Sequence, residues 1–389
     1  MPQTLHRFGF NPEEPADQIT TPRSVCSATQ IRIYWTSWCD LIYTTSNAEN
    51  PSSIAYDGTG LSVAQRHEVI SPSSTISRGL ADPVCYLSFF GSTMHDGVRG
   101  YICDGKISVF GTPAEEAERG TRYRDIETWT TSSPLTEVRV SSDSSLLLVH
   151  KDHKGVGHIS TAVDLQALRT TSVSTTPVSH LASFAPTQLV TNATTATALS
   201  PDSRVYTRTT DPRYPSCLGR PYTETLTFEP VTYLSETRIS RIASGGYMTA
   251  AISEEGELFL WGQANPGIEE ELGVLDRLEC NADAAVERET VVWCETGQDE
   301  DVKCLNIRID GRDAIAYDVA IGFGHILVAA KEGTGEHVVF AAGCGAEGQL
   351  GLGRTDDFLQ QFEEVVALRG KRTTQLAAAG WSSFVITEE

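Results

Sequence analysis

Two stretches in the C-terminal half of the chain share one order of short strands and glycine turns. They are Arg241–Gln263 and Asp318–Gly353. Each runs through a small-apolar strand, a turn containing glycine, a second strand, a polar hairpin turn and a third strand. Strands of this length and spacing, separated by glycine turns, indicate an all-β repeat protein. A chain of 389 residues also exceeds one ordinary core, so it needs several domains or a closed repeat architecture.

Weaker copies of the same order occur upstream. The segments that follow it are Ile31–Gly58, Phe89–Gly111, Glu137–His158 and Leu181–Gly219. Three dipeptides, Asp104-Gly105, Glu255-Gly256 and Glu332-Gly333, lie between apolar strands and can supply the positive φ that a tight hairpin needs. We therefore predict six complete repeats.

A seventh repeat is divided between the two ends of the sequence. Gln375–Thr387 contains two strands of a repeat but no third, and Leu5–Asn11 is a strand without a repeat of its own. Pairing the two segments would complete the repeat and cover two sheet edges, which otherwise invite aggregation. The sequence therefore predicts a ring closed by its N-terminal strand.

The fullest repeat carries a specific motif. A G-x-x-H turn at Gly322–His325 is followed by a strand, a hairpin and the glycine-rich run Gly345–Gly353, and Trp261-Gly262 belongs to a second good copy. This combination resembles the repeat of the regulator-of-chromosome-condensation family, strongly over residues 238–389 and weakly before them. The resemblance implies a seven-bladed β-propeller forming a single domain over residues 1–389.

The chain is strongly acidic, with a formal net charge of −21. This charge opposes direct nucleic-acid binding, which depends on Lys and Arg at phosphates. Pro266–Asp301 contains twelve acidic and two basic residues, so we predict a mobile insert, although the apolar run Thr290–Cys294 could dock on a blade. No apolar stretch is long enough to span a bilayer and no signal peptide is evident, so we expect a cytosolic or nuclear protein without membrane contact.

Candidate metal and catalytic groups are few. The histidine cluster His150, His153 and His158 with Asp152 could bind a metal, but a solvated hairpin turn explains it better. Cys280, Cys294 and Cys304 lack the close ligand pairs of a structural zinc site, which favours free thiols. We therefore expect neither a metal nor a cofactor.

His325 and Cys344 share one repeat and could form a Cys/His nucleophile. However, His325 matches the structural histidine of the family, and the resemblance implies a ring hydrogen-bonded within its own blade. The chain also lacks the phosphate-binding and nucleophile-elbow motifs of common enzyme classes. We therefore predict no catalytic activity.

Four aromatic residues occupy equivalent turns after the first strand of their repeats. These are Trp38, Tyr247, Phe323 and Trp381. Equivalent turns of a propeller lie on one face, so the rings would gather around the mouth of its channel. They either plug that channel or form a partner-binding face, since aromatic side chains anchor many interfaces.

The resemblance implies two functional classes. The family includes a guanine-nucleotide exchange factor for a small GTPase, and it includes diverged members that only bind partners. The eroded N-terminal repeats and the acidic charge favour a non-catalytic scaffold and regulatory subunit. By resemblance, its partner would be a JmjC-domain oxygenase, as in a chromatin-modifying complex, or a small zinc-binding electron-carrier protein of tRNA and diphthamide modification, and exchange activity is the alternative.

Overall fold

The strand pattern of the sequence is borne out by a computed structural model of the protein. The structure describes residues 1–13, 17–47, 50–71, 76, 87–94, 97–111, 126–131, 135–141, 143–151, 156–165, 167, 180–267, 270–276, 288–295, 301–333 and 335–389. The chain divides into two compact units, one made of Met1–Ser27 with Pro186–Glu389 and the other of Ala28–Ala185. The expectation of a single propeller domain over residues 1–389 stays a prediction.

Short β-strands make up most of the described residues. In chain order they are β1 Gln3–Gly9, β2 Ile19–Ala28, β3 Gln30–Thr36, β4 Asp40–Asn47, β5 Asn50–Gly58, β6 Leu87–Ser92, β7 Gly97–Cys103, β8 Lys106–Phe110, β9 Ile126–Thr130, β10 Leu135–Val140, β11 Leu146–Lys151, β12 Gly157–Ala162, β13 His180–Ala182, β14 Gln188–Thr191, β15 Thr195–Leu199, β16 Val205–Thr209, β17 Glu229–Pro230, β18 Ile239–Gly245, β19 Tyr247–Ser253, β20 Leu258–Gln263, β21 Val291–Cys294, β22 Lys303–Ile309, β23 Arg312–Ile321, β24 His325–Glu332, β25 His337–Cys344, β26 Phe358–Glu364, β27 Arg372–Ala379 and β28 Ser382–Glu388.

These described strands form six sheets of repeating order. The unit Ala28–Ala185 contains the sheets β3-β4-β5, β6-β7-β8-β9 and β10-β11-β12-β13. The other unit contains β14-β15-β16-β17, the terminal sheet β2-β1-β28-β27, and a nine-stranded sheet, β18-β19-β20-β22-β23-β24-β25-β26 with β21 on β22. The nine-stranded sheet joins the two clearest sequence repeats, because β22 pairs with both β20 and β23.

The terminal sheet confirms that the two ends of the chain pair with each other. β1 pairs antiparallel with β28 over seven residues, with Leu5 opposite Ile386. The strand is Gln3–Gly9 instead of the predicted Leu5–Asn11, because the chain turns after Gly9, where φ is +100°. Leu5 and Phe8 are fully buried, so this strand contributes core as well as hydrogen bonds.

Most of the predicted hairpin turns have the expected backbone. Asp104 and Gly105 both have positive φ, which matches the two-residue turn that suits the twist of paired strands. Gly256 also has positive φ, at +90°. In the hairpin between β24 and β25 the positive φ falls on Gly335 and not on Gly333, so that prediction was displaced by two residues.

Strand β24 shows how the core is arranged in the larger unit. Its alternate residues Ile326 and Val328 pack into one apolar cluster, while Leu327 and Ala329 pack into another. Successive side chains of a strand point to opposite faces, so both faces of this sheet are covered. The continuous apolar run of β24 is the sequence signal of such a doubly buried strand.

A single α-helix, α1 Val63–Ile70, occurs among the described residues. It begins with a capping box, in which the Ser62 hydroxyl accepts the Gln65 amide and the Gln65 side chain accepts the Ser62 amide. No helix in the described ranges is long and apolar enough to cross a membrane.

Two parts of the acidic insert Pro266–Asp301 are packed among its described residues. Leu272 is fully buried, and the Gly273 amide donates to the Gln360 carbonyl at 3.0 Å. Within the predicted docking run, Val291–Cys294 forms β21 and pairs with β22. Residues 268–269, 277–287 and 296–300 lie outside the described residues, and the mobility of the insert stays a prediction there.

Candidate protein-binding face

Three of the turns after the first strand of a repeat share one backbone geometry. Each closes on itself through an amide–carbonyl bond between residues three apart: Ser37 to Asp40, Asn192 to Thr195, and Gly322 to His325. The next residue donates its amide to the corresponding turn of the following sheet: Trp38 to Thr93, Ala193 to Gly246, and Phe323 to Gly380. Trp38 and Phe323 therefore occupy one repeat position, and Tyr247 and Trp381 each follow an accepting glycine. The sequence alignment placed these four residues within one residue of one another on the repeat, and the turn bonds agree with it.

Five aromatic rings form a continuous row in the larger unit. Their neighbouring centroids are separated by 5.1 Å between Tyr214 and Tyr247, 6.4 Å between Tyr247 and Phe323, 6.2 Å between Phe323 and Trp381, and 6.3 Å between Trp381 and Phe10. Each step is tilted or edge-to-face, an arrangement that aromatic pairs favour. We call these five residues the aromatic row.

Every ring of the aromatic row is half-buried. A plug inside a packed core would have its rings fully buried, as Phe8 is, whereas these rings keep part of their surface open. The structure therefore brings together Tyr247, Phe323 and Trp381, three of the four predicted site residues. The fourth, Trp38, is also half-buried but belongs to the other unit, and binding by all four stays a prediction.

The end of the row at Phe10 depends on a glycine. Gly9 has φ +100°, and a Cβ placed there would collide with the Trp381 carbonyl. That carbonyl accepts the Phe10 amide at 2.9 Å. The Phe10 carbonyl in turn accepts the Ser382 hydroxyl at 2.9 Å and an Arg7 guanidinium nitrogen at 3.1 Å. These bonds hold Phe10 and Trp381 side by side although they come from opposite ends of the chain.

At the other end of the row, an arginine side chain lies against the last ring. The Arg213 guanidinium lies 5.6 Å from the centroid of Tyr214 and forms a 2.7 Å salt bridge with Asp211. The Cys217 thiol donates a hydrogen bond to the Tyr247 carbonyl at 3.1 Å, and this bond anchors the turn that contains Tyr247. Burial raises the pKa of the Tyr247 phenol, so its hydroxyl is neutral at physiological pH.

Sequence reasoning missed Phe10 and Tyr214. Phe10 stood in the N-terminal segment already assigned to the last repeat, so its position next to that repeat's turn was an available signal. Tyr214 precedes the short 3-10 helix Pro215–Leu218, outside the strand pattern, and nothing local marks it as a neighbour of Tyr247.

His325 has a structural position. It is fully buried, and its Nε2 lies 3.0 Å from the Ser383 hydroxyl, which donates to the Gln349 carbonyl. The bond therefore reaches the neighbouring terminal sheet, while the Phe323 backbone interacts with the ring from its own turn. The expectation of a ring bonded within its own blade stays a prediction. Burial lowers the pKa of His325 to about 4 and raises that of the Cys344 thiol to about 11. Both groups are thus neutral at physiological pH, which does not suit a Cys/His nucleophile.

The predicted metal-ligand candidates do not converge in the part of the chain that is described. Within it, no group of three or more His, Cys, Asp or Glu side chains could hold a metal ion. His150 and His158 face each other across β11 and β12, with ring centroids 5.9 Å apart. Asp152, His153 and Cys280 lie outside the described residues, while Cys294 and Cys304 form no disulfide.

Asp40 accepts several hydrogen bonds in the smaller unit. It is buried, and it accepts hydrogen bonds from the Tyr56 and Ser37 hydroxyls and from the Gly60 and Val98 amides. Burial, with Asp40 close by, raises the pKa of the neighbouring Cys39 thiol to about 12. A carboxylate satisfied in this way stabilises the turn between β3 and β4, and the protonated thiol is a poor nucleophile.

Solved structures provide the comparison for this fold. Prp20p from Saccharomyces cerevisiae, described with its binding properties to Gsp1p and histones, aligns with a TM-score of 0.61 at 12% identity, over 100% of this chain and 92% of its own. Human WBSCR16 aligns with a TM-score of 0.60 at 12% identity, over 100% and 99% of the two chains. Yeast RCC1 (Prp20) bound to Kap60 aligns with a TM-score of 0.59 at 12% identity, over 100% and 89%. No protein-family model and no curated protein matches the chain.

These alignments and the sheet order define the class of protein. The chain is an all-β repeat protein whose fold fits a β-propeller. Among such proteins its fold is that of RCC1, which confirms the resemblance read from Gly322–His325 and Gly345–Gly353 at the level of fold.

Proposed function

We propose that this protein is a non-catalytic β-propeller scaffold that binds a protein partner through the aromatic row. The observation that carries the proposal is the row itself, in which five half-buried rings from five separate chain segments are held in contact. Aromatic side chains that keep open surface on a rigid framework are the usual anchors of protein interfaces.

The proposed architecture is a seven-bladed propeller closed by β1. It is supported by the nine-stranded sheet, which contains two repeats, and by the five further sheets of the described chain. The pairing of β1 with β28 supports closure, because it supplies the third strand that the C-terminal hairpin lacks.

The partner class comes from sequence resemblance alone. A regulatory role beside a JmjC-domain oxygenase or beside a small zinc-binding electron-carrier protein remains the proposal for this chain. Affinity purification followed by mass spectrometry distinguishes the two, because the recovered partner would be an oxygenase in one case and a zinc-binding protein in the other. Recovery of neither class would overturn this assignment.

Guanine-nucleotide exchange is the second candidate function. The fold shared with Prp20p, which was described with its binding to Gsp1p, favours it. A nucleotide-release assay with the purified protein and a panel of small GTPases tests it directly. Accelerated release from any of them would replace the non-catalytic proposal.

Removing one ring tests the binding face. We expect Trp381→Ala to lose the co-purifying partner, since truncating a central aromatic anchor often costs about 2 kcal/mol, or roughly a thirtyfold weaker complex. Trp38→Ala tests in the same way whether the other unit contributes. Trp293→Ala is the matched control, because Trp293 is a half-buried tryptophan on β21, outside the row.

The melting temperature of each variant separates binding from packing. Lost partners with a melting temperature close to that of the intact protein would support the proposal. Retained partners, or a melting temperature lowered as far as by a core truncation, would show that Trp381 is structural.

A further inference from the structure

Resting on the proposed function, we infer that the aromatic row binds a basic segment of the partner, with arginine or lysine side chains set against its open ring surfaces. The ligand is thus a cationic peptide segment, recognised by ring faces and by carboxylates that border them.

One ring of the row is already in contact with a guanidinium group of the chain itself. Arg213 lies over Tyr214 at 5.6 Å, within the range in which a cation is attracted to an aromatic face. Arg213 is exposed and is held there together with Asp211, so a carboxylate and a ring act on one cation. The remaining rings of the row are also half-buried and so keep part of their surface open.

Carboxylates approach the row at its two tyrosines. Asp211 forms the salt bridge with Arg213, which lies over Tyr214. The Glu271 carboxylate accepts the Ala264 amide at 2.9 Å, next to Gln263, which pairs with Tyr247, and the preceding residue Glu270 is exposed.

The whole chain carries a net charge of −21, so the long-range field also attracts a cationic segment. Ring faces together with acidic neighbours match arginine and lysine better than neutral or acidic side chains.

A labelled peptide of alternating arginine and serine is the probe, with a matched peptide in which glutamine replaces every arginine. Fluorescence anisotropy at physiological salt should show binding of the arginine peptide to the intact protein and weaker binding of the glutamine peptide. We expect Trp381→Ala to weaken the binding of the arginine peptide about tenfold, in line with the loss of a desolvated cation–π contact. Glu270→Gln, at an exposed position, should weaken the binding of the same peptide about two- to fivefold.

Phe323→Leu keeps apolar volume while removing the ring, so it preserves folding and tests the ring face itself. Weaker peptide binding by this variant, with Trp293→Ala unchanged, would support the inference. Equal binding by intact protein, Phe323→Leu and Trp381→Ala would show attraction by net charge alone and would overturn it.

The partner assay keeps the two proposals apart. Variants of the row could lose the co-purifying partner while the arginine and glutamine peptides bind equally. In that case the inference of a basic segment is wrong, while the proposed binding face stands. If the variants keep the partner, the binding face is wrong and the inference falls with it.

Discussion

The contribution of the N-terminal strand to stability can be measured at one side chain. Phe8 on β1 is fully buried and packs with Leu350, Leu376 and Val385 of the last two repeats. Its ring also lies against Gly351, where a Cβ would come within 2.9 Å of it. Phe8→Ala therefore removes an aromatic ring from a closely packed core at the point where the two chain ends meet.

The expected loss of stability is large. Truncating a buried phenylalanine to alanine typically costs about 3–5 kcal/mol, the sum of lost transfer free energy and the cavity left behind. At about 2–4 °C per kcal/mol for a domain of this size, the melting temperature should fall by roughly 6–20 °C. Deleting residues 1–11 should cost more, because it also exposes the edge of β28 and should promote aggregation.

Phe10→Ala is the matched comparison for Phe8→Ala. Both residues are phenylalanines two positions apart, but Phe10 is half-buried in the aromatic row. Thermal melts followed by circular dichroism should show a much smaller decrease for Phe10→Ala, which should instead weaken partner binding. If Phe8→Ala melts like the intact protein, β1 does not complete the core and the assignment of a split repeat is refuted.

Three further predictions concern charge. Asp318→Ala should cost about 3 kcal/mol in a denaturant titration, because the buried carboxylate forms a 2.6 Å ion pair with Arg241; an unchanged midpoint would contradict this. Burial lowers the pKa of both His6 and His325 from 6.5 to about 4. The unfolded chain therefore binds protons that the folded chain does not, so stability should decrease as the pH falls from 6.5 towards 4. His6→Gln should make that slope shallower, and an identical slope would exclude His6 as a contributor. Nucleic acid should bind no tighter than about micromolar at physiological salt, and a tighter specific affinity would contradict the reasoning from charge.

Local signals were sufficient for the strands and most turns. The apolar run of β24 and the dipeptide Asp104-Gly105 specify a buried strand and a tight hairpin through residues adjacent in sequence. The pairing of the chain ends was also predictable, because a repeat with two strands needs a third. The bounds of β1 were displaced by two residues, since the positive φ of Gly9 ends the strand before Phe10.

The insert and the structural histidine show where local signals fail. The net charge of the insert predicted a mobile segment. Leu272 is nevertheless buried, because the adjoining backbone bonds to the strand that contains Gln360. For His325, the family resemblance implied a ring bonded within its own blade, and it gave no signal for the bond to Ser383 of a different sheet. Both outcomes depend on residues far away in the chain.

The sequence by itself determined the repeat order, the strand alternation and the turn positions of Tyr247, Phe323 and Trp381, because hydrophobic period and glycine placement act over a few residues. Only the tertiary structure decided that these rings touch, that Phe10 and Tyr214 extend the row, and that all five keep open surface. Contacts between separate repeats depend on how the sheets pack and on the turn-to-turn bonds that link them, such as that from Phe323 to Gly380. No pattern within one repeat encodes the distance between the rings of two different repeats.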